Sequence, residues 1–294
     1  MHGAGNDFVV IDGVKERIPE PHLPELARHV CDRHFGIGAD GFILVLPSHT
    51  ANFKMRMMNP DGSEAEMCGN GVRVFAKYVF DRGMHTDPVM TVETLGGIKT
   101  IKLDTTGGTV RAARVDMGEP RLLRSEIPMA TPRRGRLRQD VANEHGRAVN
   151  EPLKVAGKKI EITCVSMGNP HCVTFVDDVD SYPVEKIGPQ IENHPVFPKR
   201  TNVEFVEVIN PRELKQRTWE RGTGETLACG SGSCASVVAG VLTGRAGRKV
   251  TVHLRGGDLL IEWLGDNHLY MTGPAEEVFE GEVSAAECSR WMEN

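Results

Sequence analysis

No apolar run in this 294-residue chain approaches the roughly 18–20 residues needed to span a bilayer, so a helical membrane protein is not expected. The first eight residues lack a basic stretch followed by an apolar one, so a secretory signal is not expected either. There is no basic excess. The net charge is −5, and a nucleic-acid partner would ordinarily leave a basic footprint. The one local basic cluster, Arg133, Arg134, Arg136 and Arg138, lies in a Pro- and Gly-punctuated stretch and reads as a solvated loop. Among seven cysteines there is no Cys-x-x-Cys pair, which argues against a zinc site and leaves no metal to expect. The odd, scattered set also excludes a secreted disulfide framework and points to a reducing cytoplasm. Any one of these cysteines, taken singly, reads as a small buried apolar group.

What is present is a repeat. Glu64-Ala-Glu-Met-Cys68-Gly69-Asn70-Gly71 returns as Glu225-Thr-Leu-Ala-Cys229-Gly230-Ser231-Gly232. Upstream, Gly5-Asn6 is echoed by Gly168-Asn169; downstream, Gly96-Gly97 is echoed by Gly256-Gly257. The offsets are 163 (Gly5 to Gly168), 161 (Cys68 to Cys229) and 160 (Gly97 to Gly257). Three anchors in one order and one register make chance a poor account, and the period is far too long for a solenoid. Two duplicated halves fit both the repeat and the length.

The local patterns agree between the halves. Alternating or β-branched runs predict strands over 8–12, 41–46 and 53–59, and again over 160–165, 202–209 and 249–254. Beyond Cys68, Val72, Phe75, Ala76 and Val79 share a helical face, with Gly83 as the stop. Beyond Cys229, Ala235, Val238, Val241 and Leu242 do the same, with Gly244 as the stop. A further amphipathic helix is predicted over 23–34 on the spacing of Leu23, Leu26, Ala27 and Val30, ending at Gly36. The expected class is α+β: two pseudo-symmetric domains, each of antiparallel strands around a central helix, without alternating βαβ units.

In both halves Cys-Gly-x-Gly stands where the chain enters a helix. Glycines there permit a tight turn and leave amide N–H groups uncovered. With the positive helix end those amides form an anion site, which would hold a carboxylate and favour a thiolate. One such motif is evenly balanced against an incidental buried cysteine; two matched copies favour chemistry. Paired thiols suit inversion at an α-carbon, because a single base would return the proton to the side it left. Thiols can be tuned to transfer protons near neutral pH, and aligned N–H donors can steady the developing carbanion.

The surrounding motifs are His2-Gly-Ala-Gly-Asn-Asp-Phe8, Asn59-Pro-Asp-Gly-Ser-Glu64, Met67-Cys-Gly-Asn-Gly71, Met167-Gly-Asn-Pro-His171, Thr201-Asn-Val203 and the run from Trp219 to Gly232. Over nearly its whole length the chain resembles the diaminopimelate epimerases. The resemblance implies interconversion of LL- and meso-2,6-diaminopimelate without pyridoxal phosphate or any other cofactor. It places that step in lysine and peptidoglycan-precursor synthesis, in a cytoplasmic homodimer with the site between two halves. The last strand of the family returns to the first half, which implies domains of 1–115 with 273–294, and 116–272.

Carried over by position, Cys68 and Cys229 match the catalytic pair. Asn6, Asn59, Asn169, Asn202, Glu220 and Arg221 match substrate-holding residues, and Gly69, Asn70, Gly230 and Ser231 match the donors at the two helix starts. His171 and Glu220 are candidate helpers for a thiol. Cys31, Cys164, Cys172, Cys234 and Cys288 have no matched motif and read as structural. Two departures stand out: Gly41 replaces a glutamine that contacts substrate in some members, and the first strand is short or missing.

Other readings remain open at this point. Proline racemase relatives also use two cysteines but carry histidine where this chain has Asn70. Histidine-racemase-like members keep most of the motifs, and phenazine-biosynthesis-like isomerases share the fold without the cysteine pair. A duplicated amino-acid-binding protein needs the glycines and amides but no thiols. A disulfide between Cys68 and Cys229 is a further alternative.

Overall fold

The computed structural model describes residues 1–16, 18–65, 67–130 and 146–293. The arginine cluster at 133–138 lies outside the described residues. The chain forms two compact units, Met1–Asp116 with Thr272–Asn294, and Met117–Met271.

The first unit runs β1 (His2–Gly3), β2 (Asn6–Asp12), α1 (Leu23–Cys31), β3 (Gly41–Leu46), β4 (Phe53–Met58), α2 (Gly69–Asp81), β5 (Val89–Thr94), β6 (Gly97–Thr106) and β7 (Thr109–Gly118). The expected short first strand is the two-residue β1, which pairs with β2. Strand β3 is buried at five of six positions because a helix covers each of its faces. On one face Phe42 and Leu44 meet Leu23, Leu26 and Val30 of α1, together with Trp291 of the C-terminal helix (Ala285–Glu293). Each large aliphatic side chain buried there contributes roughly 1.5–3 kcal/mol. Strand alternation sends Ile43 to the other face, toward α2.

The second unit runs β8 (Glu151–Val155), β9 (Lys158–Ser166), β10 (Pro170–Phe175), α3 (Val184–Glu192), β11 (Asn202–Asn210), β12 (Glu213–Glu220), β13 (Gly224–Thr226), α4 (Gly230–Leu242), β14 (Lys249–Leu254), β15 (Gly257–Trp263) and β16 (Leu269–Pro274). Val203 and Phe205 of β11 join Val184 and Ile191 of α3 in one core, so Glu204 points the opposite way, toward α4.

The α+β class and the duplication hold strand by strand. Strand β2 pairs parallel with β3, β3 antiparallel with β4, β4 parallel with β5, and β5 antiparallel with β6. The second unit repeats this order with β10, β11, β12, β14 and β15. The expectation of purely antiparallel strands is therefore corrected: each sheet is mixed. The reason lies in the connections. A parallel pair needs a crossover of a dozen or more residues, and α1, α2, α3 and α4 each supply one.

Helix ends follow the sequence with one exception. Gly83 (φ 66°) and Gly244 (φ 70°) take the left-handed backbone just past α2 and α4. Helix α1, expected to reach residue 34, stops at Cys31. Asp32 turns to extended backbone (φ −63°, ψ 120°), and its carboxylate accepts from the amides of His34 and Phe35. An aspartate that captures amides ahead of it competes with the helix for them.

Candidate active site

Cys68 is the N-cap of α2 and Cys229 the N-cap of α4. Their backbones nearly coincide, at φ −132°, ψ 115° and φ −125°, ψ 108°. Each sulfur accepts from the amide three residues on, Gly71 or Gly232, at 3.4 Å. A thiol thus stands where Ser, Thr, Asp or Asn ordinarily caps a helix. The motif glycines contribute differently than expected: those inside the helix starts have ordinary negative φ, so backbone freedom is not their use. Space is. A Cβ on Gly71 would lie 3.2 Å from Ile43 Cδ1, and one on Gly232 would lie 2.6 Å from Glu204 Oε1.

In the first unit the structure brings Asn6, Cys68 and Asn70 together. Asn6 Oδ1 accepts from Asn70 Nδ2 at 3.2 Å and lies 3.8 Å from the Cys68 sulfur. Asn6 Nδ2 donates to Asp40 at 2.8 Å, and Asp40 is held in turn by Arg33. Gly69 opens the helix beside them. Asn59 sits apart, in the turn after β4, where its Nδ2 donates to Ser63 Oγ at 3.0 Å. Gly41 is buried, with room for a Cβ only 3.1 Å from Met57 Cε and Phe8 Cδ1, so a glutamine there would displace core.

In the second unit Cys229, Ser231, Asn169 and His171 form a chain. Ser231 Oγ lies 3.6 Å from the Cys229 sulfur and accepts from Asn169 Nδ2 at 3.4 Å. Asn169 Oδ1 is 3.0 Å from His171 Nε2, and His171 Nδ1 is 2.8 Å from Glu204 Oε1. Asn202 and Arg221 form a neighbouring pair: Asn202 Oδ1 accepts from the Arg221 amide at 2.9 Å, while Asn202 Nδ2 donates to the Pro170 carbonyl. Glu220 accepts from Thr226 Oγ1 at 2.6 Å. Gly230 opens α4.

The electrostatics revise one expectation. The helix start was expected to bring both thiols toward thiolate. Burial instead pushes the Cys229 thiol well above its ordinary value, the Glu220 and Glu204 charges add to this, and the Ser231 hydroxyl and Gly232 amide oppose it.

Two arginines escaped the sequence reading. Arg56 grips Glu64 through two bonds, 2.8 and 2.7 Å, and Arg217 grips Glu225 through two, 2.7 and 2.9 Å. The glutamates are the first letters of the repeated motif, and the arginines obey the same offset of 161 (Arg56 to Arg217). Tracing the repeat back into β4 and β12 would have found them. No disulfide joins any of the seven cysteines, so the disulfide reading of Cys68 and Cys229 is not supported.

A family model described as diaminopimelate epimerase matches residues 1–123 and 163–278. The chain belongs to the diaminopimelate epimerase family. It is 57% identical over 281 residues to the diaminopimelate epimerase of Pelotomaculum thermopropionicum, covering 96% of each chain. It is 56% identical over 283 residues to that of Moorella thermoacetica (96% of this chain, 97% of the relative). The Methanococcus maripaludis enzyme of that name is 51% identical over 284 residues (96% and 98%). Among solved structures, a PhzF-family phenazine biosynthesis protein from Bacillus anthracis superposes with a TM-score of 0.68 at 17% identity, covering 97% and 95% of the two chains. A probable proline racemase from Agrobacterium radiobacter superposes with a TM-score of 0.69 at 14% identity, covering 97% and 91%. At such identities these two carry the fold alone, and it is the fold the family shares.

Proposed function

We propose that the chain interconverts LL- and meso-2,6-diaminopimelate by proton transfer at the α-carbon, with Cys68 and Cys229 as the acid–base pair and no cofactor. The observation that carries this reading is the doubled N-cap thiol, Cys68 beside Asn6 and Cys229 linked to Asn169 through Ser231. One cysteine, as thiolate, takes the α-proton from one face; the other, as thiol, gives a proton to the opposite face. The electron pair left on carbon spreads into the carboxylate, which the amides of Gly69, Asn70, Gly230 and Ser231 steady. Asn6, Asn59, Asn169, Asn202, Glu220 and Arg221 hold the carboxylates and ammonium groups, because fixed amides and a guanidinium can read both ends of a diamino diacid. For a substrate isomer that presents its α-proton to Cys68, Cys229 begins as the donor, in keeping with the burial that raises its thiol. The proposal extends to cytoplasmic location and a homodimer, the latter measured by light scattering.

Solvent deuterium uptake at the α-carbon of LL-diaminopimelate tests the chemistry. Wild-type protein with no cofactor added should exchange and invert. Cys68→Ala and Cys229→Ala should each lose turnover by about 10²–10⁴-fold or more. Unchanged turnover in either variant would sink the two-base reading. Histidine and proline, run as competing substrates, should be poor.

A further inference from the structure

The duplication offers a control inside one chain. Phe8 of β2 lies opposite Gly41 of β3, and at the matching place His171 of β10 lies opposite Asn202 of β11. Two residues further along, Ile43 and Glu204 occupy the same position under the glycine of the cysteine helix. The fold therefore accepts a hydrocarbon pair, Phe8 and Ile43, where the second unit keeps a histidine and a carboxylate. Both of the latter are fully buried, and Glu204 Oε2 has no hydrogen-bond partner. A buried carboxylate in a place that could hold isoleucine costs stability, so it calls for a use beyond packing.

The contacts suggest that use. Glu204 Oε1 lies 2.8 Å from His171 Nδ1, and His171 Nε2 lies 3.0 Å from Asn169 Oδ1, so the ring is held from both of its nitrogens. The Asn169 amide is then held with Nδ2 toward Ser231, whose oxygen accepts, leaving the serine proton free to point at the Cys229 sulfur.

We propose that Glu204 is a positioning residue for Cys229: it holds the His171 ring and so fixes, through Asn169 and Ser231, a hydroxyl aimed at the sulfur. This rests on the reading of Cys229 as one of the two acid–base thiols. The donor counts most when the thiol has given up its proton and the sulfur carries charge. Other titratable groups face the same spot: Cys172 on β10, itself against Cys164, responds to Glu204, and Glu220 on β12 acts on Cys229. Among the described residues, the matching places of the first unit hold Phe8 and Ile43.

¹⁵N-histidine NMR of the full chain tests the pair without turnover, and so separately from the proposed reaction. Glu204→Gln should move the His171 ring-nitrogen resonances, that of Nδ1 most, because Nδ1 faces the Glu204 carboxyl at 2.8 Å. His171 resonances left where they are in the wild type would overturn the proposal. Kinetically, Glu204→Gln should lower kcat roughly tenfold, the worth of one site hydrogen bond, with KM within about twofold. Adding Ser231→Ala to Glu204→Gln should cost little more, although these side chains make no hydrogen bond to each other. Fully additive losses would refute the relay. If Glu204→Gln does not fold, the double replacement His171→Phe with Glu204→Ile copies the first unit. It should fold and show the same roughly tenfold loss; wild-type kcat in it would also refute the relay.

Discussion

Behind the cysteine helix of the first unit stand Phe8 and Ile43; behind that of the second stand His171 and Glu204. The two strand frameworks agree pairing by pairing and the two N-caps agree to within ten degrees of backbone angle, yet the strands beneath carry hydrocarbon in one unit and a buried histidine and carboxyl group in the other. Duplication thus preserves what geometry requires, a sulfur at a helix start. It leaves the residues beneath free to diverge, and in the second unit one of them, Glu204, adds to the burial that raises the Cys229 thiol. An inverting enzyme needs a base and an acid at once, and unequal surroundings are a direct way to have them.

The largest expected effect breaks the comparison from the charged side. His171→Phe alone strands the Glu204 carboxylate in the core and should cost roughly 3–5 kcal/mol of stability. With Glu204→Ile added, the cost should fall to near zero or reverse, since the first unit already packs that pair. Urea unfolding of the three proteins measures both. A double variant as unstable as the single one would mean that the two frameworks are not interchangeable at this position.

Next come the matched arginines. Arg217 and Glu225 are more buried (15% and 8% exposed side chains) than Arg56 and Glu64 (17% and 22%). Arg217 also donates to the carbonyls of Val179, Asp180 and Tyr182. Arg217→Ala should therefore cost about 2–3 kcal/mol and Arg56→Ala about 1–2, because an orphaned buried acceptor loses its full desolvation. Equal shifts in Tm would remove this asymmetry.

The smallest effect is in acid. Hydrogen bonding to Arg217 holds Glu225 below its ordinary value of 4.5, against the opposing effect of burial. The unfolded chain then binds the proton more tightly than the folded one. Stability from this pair is complete above about 4.5 and drains away as pH falls through the lower folded value. Glu225→Gln should flatten that part of the acid stability curve, read by thermal unfolding between pH about 3 and 6.

Much of this was legible from the residues. The helix spacing of Val72, Phe75, Ala76 and Val79 and the stops at Gly83 and Gly244 are short-range signals, and each appears in the structure. Strand direction was not legible. An apolar run such as residues 41–46 fits a parallel or an antiparallel neighbour equally well, and only the helical crossovers decide between them. Arg56 and Arg217 were missed because a charged residue in an alternating strand reads as solvent-facing until its partner is known. Glu204 was missed for the same reason: in Asn-Val-Glu-Phe it looks like the polar letter of a half-exposed strand, but α4 covers that face.

By itself the sequence determined the duplication, the family and which two of seven cysteines cap helices, because repeats and caps are written in local order. The tertiary structure decided that burial raises the Cys229 thiol and that His171 has a buried carboxyl group behind it. Those properties come from burial and from charges brought together across strands, and residues 33 and 25 positions from a partner leave no trace of the meeting in the chain (His171 to Glu204, Glu204 to Cys229).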